Sequence, residues 1–124
     1  MVQKRVITCY PSAARTATPT VMVDQKSDGS KGLVVVIDVT AVPAAPPQLT
    51  FTIQGKDPIS GKYYTILASA VIVAVGTVIL RVYPGLTAAA NLVASDVIPA
   101  SWRVLATAGD ADPATYSVGA SLIP

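Results

Sequence analysis

The chain has 124 residues, of which 13% are charged and 52% hydrophobic, and its formal net charge is +2. That length makes one domain with a real core, and the charge is too small and too scattered for a nucleic-acid face, which needs clustered Lys and Arg with exposed aromatics. All of the acidic side chains are Asp and there is no His, so the usual general base and the Ser–His or Cys–His nucleophile pairs are missing.

The first thirty residues have no sustained alternation. MVQKRVITCYPSAAR has no continuous apolar run, so it does not read as a signal peptide, and synthesis in the cytoplasm is expected. Residues 1–17 are predicted to be an extended arm that packs poorly on its own domain, with Lys4, Arg5 and Arg15 among small side chains. The β-domain is predicted over residues 18–124. VMVDQK is expected to be an edge strand with Val21 and Val23 facing in. Cys9, the single cysteine, excludes an internal disulfide and any multi-cysteine metal site, and reads as a half-buried small hydrophobe.

Five later segments alternate with the period of a half-buried strand. Leu33, Val35, Ile37, Val39 and Ala41 share one face of GLVVVIDVTAV. Leu49, Phe51 and Ile53 share one face of QLTFTIQG, and Val78, Leu80 and Val82 one face of TVILRVY. Trp102, Val104 and Ala106 alternate in SWRVLATAG, and Tyr116, Val118, Ala120 and Leu122 in ATYSVGASLIP. Polar turns separate them: SDGSKG, PAAPP, KDPISGK, YPG and GDADP. The pattern predicts a single antiparallel β-sandwich, of jelly-roll or immunoglobulin-like type. The one candidate for a helical turn is LTAAANLVAS, where Thr87 stands before an alanine run. From Tyr63 to Leu80 there is no charge, but the run is β-branched and interrupted by Ser69 and Gly76. Two strands are expected there, not a membrane span.

QGKDPISGKYY looks at first like a phosphate loop. A nucleotide-binding loop of that kind needs four residues between glycine and Gly-Lys-Ser/Thr, followed by a helix. Here five residues separate Gly55 from Gly61, Tyr63 follows Lys62, and the chain continues as a strand. Asp-Pro and Ser-Gly are turn chemistry, so a hairpin tip is expected. Asp110 and Asp112 share a D-x-D spacing but lack the further oxygens of a calcium loop. Asp24 and Asp28 read as turn formers. Asp38 is either an exposed strand residue or paired with Arg81 or Arg103. Tyr63 and Tyr64 should point to opposite faces, one into the core and one to the surface, which argues against a sugar platform with Tyr83. No cofactor, no metal and no enzymatic activity are expected.

The stretches SAARTATPT, LVVVIDVTAV, QGKDPISGKYYTIL, RVYPGLTAAAN and SVGASLI resemble a group of small proteins encoded among the virion structural genes of tailed bacteriophages and prophages. The likeness runs from about Ser12 to Ile123, and its motifs are structural punctuation. It implies a virion component made in the bacterial host, with capsid decoration (cement) protein as the leading role. The implied partners are the major capsid protein and further copies of the chain, as a trimer. Nucleic acid and membrane are not expected partners. A tail, neck or fibre-base component, or a carbohydrate-binding module on the virion surface, are the alternatives. Lys4, Arg5, Arg15, Lys56 and Lys62 are the expected protein-contact residues.

Overall fold

The computed structural model describes residues 5–16, 21–43, 48–109 and 113–124. Lys4, most of the PAAPP turn and the Asp110/Asp112 pair lie outside the described residues. The strands are β1 (Arg5–Arg15), β2 (Gln25–Lys26), β3 (Gly32–Ala41), β4 (Leu49–Lys56), β5 (Tyr63–Ala68), β6 (Gly76–Val82), β7 (Val93–Ala94), β8 (Ser101–Ala108) and β9 (Ala114–Ile123), and no helix forms among the described residues. One sheet has the order β1-β9-β3-β6-β7 and the other β2-β8-β4-β5. Neighbours are antiparallel except β6 and β7, which run parallel.

The alternating segments give the strands because one face of each can leave water. Along β4 and β9, every second residue is buried and the next half-buried. Leu33, Val35 and Ile37 of β3 meet Phe51 and Ile53 of β4 and Trp102 of β8 in one core, all without solvent exposure. Each such side chain contributes about 1.5–3 kcal/mol by leaving water. An aromatic contact and a hydrogen bond also cross between the sheets. The Phe51 and Tyr116 rings meet edge to face with centroids 5.0 Å apart, and the Tyr10 hydroxyl donates to the Val104 carbonyl at 2.6 Å.

Residues 5–15, predicted as an arm, are instead an integral strand. β1 runs the length of β9, pairing from Arg5 opposite Leu122 to Arg15 opposite Ala114. Ile7, Cys9 and Tyr10 are buried in the core, so Cys9 is more deeply covered than half-buried. Register shifts between Thr8 and Tyr10 and between Tyr10 and Ala13 explain why the alternation was hidden. Cys9 and Tyr10 both turn inward, and Pro11, which has no N–H to donate, sits in the second irregularity, where sheets tolerate proline.

Other expectations change in the same physical way. Val21 and Val23 are 52% and 81% exposed, and Met22 between them packs on the core; only Gln25 and Lys26 form the short strand, beside β8. The alanine run at 86–95 makes turns, with Ala89 bridging Val93 and Asn91 at φ 63°. Val93 and Ala94 pair with Arg81 and Val82 of β6 instead, and what remains is too short to recover the cost of helix nucleation. The charge-free stretch from Tyr63 forms β5 and β6 with an irregular link between them. Among the described residues, no helix is long and apolar enough to cross a membrane.

Candidate functional site

The hairpin joining β4 to β5 defines one end of the molecule. Asp57 N–H donates to the Lys62 carbonyl at 2.8 Å, and Gly61 N–H to the Asp57 carbonyl at 2.9 Å. The Asp57 carboxylate accepts from Ile59 N–H at 2.9 Å and from the Ser60 hydroxyl at 2.9 Å. Gly61 closes the turn at φ 75°, a conformation that glycine adopts without steric cost. No helix follows Lys62, and its backbone leads directly into β5. QGKDPISGKYY is therefore a hairpin.

At the base of this hairpin, the half-buried side chains form a polar cluster. Lys56 Nζ donates to Asp24 Oδ2 at 2.9 Å, and the Tyr63 hydroxyl reaches both Asp24 oxygens at 2.7 and 2.8 Å. The Arg103 guanidinium lies 3.5 Å from the Tyr63 ring centroid, and its Nε donates to Gln54 Oε1 at 2.8 Å. Lys56 and then Tyr63, as donors, hold the Asp24 carboxyl below its ordinary range. The Ile59 N–H and the Ser60 groups do the same for Asp57. Both carboxylates are therefore weak bases at neutral pH. Next to the cluster is an open cleft of about 790 Å³, walled by the hairpin tip, Lys26, Tyr64 and Pro99–Ser101. Tyr64 lies over Gly55, where an added Cβ would come within 2.5 Å of the ring and 2.8 Å of Pro99.

The expected contact residues do not converge on one surface. Lys56 and Lys62 share the hairpin, with Lys56 tied to Asp24 and Lys62 exposed. Arg5 is ion-paired with Asp28. Arg15 lies at the far end of β1, donating to the Tyr116 carbonyl at 2.9 Å and stacked 4.9 Å from the Tyr116 ring centroid. Lys4 lies outside the described residues. Asp38 faces Thr77 across the β3–β6 pair, with neither Arg81 nor Arg103 as its partner. Neither Tyr63 nor Tyr64 enters the core: Tyr63 caps Asp24, and Tyr64 is 48% exposed.

The sequence alone missed Asp24 as the centre of a cluster, because its partners are 32 and 39 residues away. It also passed over Ile59, an apolar residue at a polar turn tip and 94% exposed. That mismatch between residue and position was visible in DPISG. Exposed aliphatics recur at the opposite end of β5, where Val71, Val73 and Val75 are 58%, 48% and 60% exposed, beside Leu92 at 49%. Among the described residues, no three His, Cys, Asp or Glu side chains could hold a metal ion together. No protein-family model, curated protein or solved structure matches the chain.

Proposed function

We propose that the chain is a structural protein of a tailed-bacteriophage virion, a decoration (cement) protein on the outside of the head shell. Its partners in this reading are the major capsid protein and further copies of itself, arranged as trimers. The observation that carries it is the surface: aliphatic side chains stand exposed on the connections beyond the strand ends, at Ile59, Val71, Val73, Val75 and Leu92. Apolar patches of this kind mark surfaces that other proteins cover. Near the hairpin, Asp24 and Lys56 are paired with each other. A protein of this kind stabilises a shell by binding its assembled form, adding interface area rather than chemistry.

The strand order supports a jelly roll as the fold type. Setting aside the two-residue β7, the sheets read 1-9-3-6 and 2-8-4-5, the order of an eight-stranded double Greek key. Viral capsid and lectin domains use that architecture. An immunoglobulin-like sandwich would keep the last two strands together in one sheet, whereas β8 and β9 lie in different sheets. The resemblance to virion proteins of tailed phages points the same way.

The test is to add the purified protein to heads that lack it. Saturable binding and a rise in the temperature at which the heads disrupt are expected. Heads that neither bind the protein nor gain stability would contradict the proposal.

A further inference from the structure

We propose that copies of this chain join head to tail, the β4–β5 hairpin tip of one entering an apolar hollow between β5 and β6 of the next. This rests on the homo-oligomeric part of the function proposed above and names the surface that makes the contact.

The tip is built as a knob. Pro58 and Ile59 lead it, and Ile59 is 94% exposed at a place where turns ordinarily put polar residues. The only carboxylate on the tip, that of Asp57, is folded back onto Ile59 N–H, Ser60 N–H and the Ser60 hydroxyl. The leading surface is therefore aliphatic.

The hollow is built to receive one. It measures about 280 Å³ and is lined by Ala70, Val71, Ile72, Val78, Asn91 and Leu92, with no charged side chain. Its walls are fixed. Ile72 exchanges two backbone hydrogen bonds with Leu49, at 3.0 and 2.8 Å. The Asn91 amide donates to the Ala68 carbonyl at 3.1 Å, while its backbone takes φ 63°. A preformed wall loses little freedom when it is filled. Between Tyr63 and Ser95 the sole charged residue is Arg81, so a charged partner would find no complement there, whereas an aliphatic knob would.

The occupant proposed is a second copy, whose tip carries the aliphatic knob that an uncharged hollow takes. The tip precedes Tyr63 and the hollow begins after Ala68, at the two ends of β5. Six strand residues at about 3.3 Å each put them roughly 20 Å apart, so a chain cannot fill its own hollow. Tip-to-hollow contact is heterologous, and it closes into a ring when the rotation between copies allows, as a trimer requires. In a ring each copy uses both of its surfaces, so contacts that are small singly reinforce one another.

Sedimentation velocity over a rising concentration series, with wild type and Ile59→Asp side by side, is the first half of the test. The second is mild oxidation of an equimolar mixture of Ile59→Cys and Leu92→Cys; the native Cys9 is buried and does not compete. Wild type is expected to associate, Ile59→Asp to remain monomeric, and the cross-link to join position 59 to position 92 only. An Ile59→Asp protein that assembles like wild type, or cross-links joining 59 to 59 or 92 to 92, would overturn the head-to-tail contact alone. Wild type that stays monomeric at every concentration would overturn the homo-oligomeric reading, and this contact with it.

Discussion

Ser69 shows how much a single polar atom can carry. It is buried, its hydroxyl accepts from Phe51 N–H at 3.0 Å and donates to the Ala70 carbonyl at 2.9 Å, and its own N–H bonds the Phe51 carbonyl. The serine thus replaces a ladder partner where β5 ends and β4 would otherwise lose one. Ser69→Ala leaves a buried N–H without a partner, a loss of about 1–3 kcal/mol, to be read as a lower denaturation midpoint in urea. Cys9 and Tyr10 predict a pH effect of definite sign. Burial pushes both groups up to about 12, from ordinary values of 9.0 and 10.0, with Tyr116 adding to the shift at Tyr10. The unfolded chain therefore loses these protons first. Their contribution to stability is whole below pH 9 and falls as pH rises from 9 towards 12. Unfolding midpoints measured from pH 7 to 11 should decline, and Cys9→Ala should decline less steeply than wild type.

At the scale of elements, the close approach of β3 to β6 depends on Gly32. A Cβ there would stand 2.1 Å from the Val82 carbonyl oxygen and 2.6 Å from the Tyr83 ring. The backbone oxygen cannot move aside without breaking the strand pair. Gly32→Ala is expected to cost about 3 kcal/mol, at the upper end for overpacking, and to lower the thermal midpoint clearly. An unchanged midpoint would mean the two strands do not approach as described. How far each element was legible follows from whether its period is intact. β4, β8 and β9 alternate throughout, β6 does so at Leu80 and Val82, and β3 does so as far as Val39, beyond which a register shift leaves Ala41 exposed. The inward residues Val35, Phe51, Leu80, Trp102 and Val118 are buried. β1 was hidden because Cys9 and Tyr10 both face in across a register shift, which period-two reading scores as disorder. The hairpin was legible from Asp57-Pro58 and Ser60-Gly61, which are local turn signals. The Asp24 cluster was not, since three segments distant in sequence supply it and no local pattern records their meeting.

For the whole molecule, the two sheets leave exposed aliphatics at both ends of β5. Ile59 stands at one end, and Val71, Val73, Val75 and Leu92 at the other. A surface of that kind is stable in water only at modest patch size, and covering it in an assembly removes the liability. Residues 5–15 also have a different part from that of a free arm. β1 fills the sheet edge beside β9, so in the proposed decoration role the strand connections, and not a free arm, would grip the shell. The most direct test of the proposed role is a three-dimensional reconstruction of the phage particles made by cells that encode the chain. The account predicts density for the protein over the whole head surface, in three-fold clusters, with the strand connections against the shell. Density confined to a single ring at the neck or tail, or particles without the chain, would contradict it.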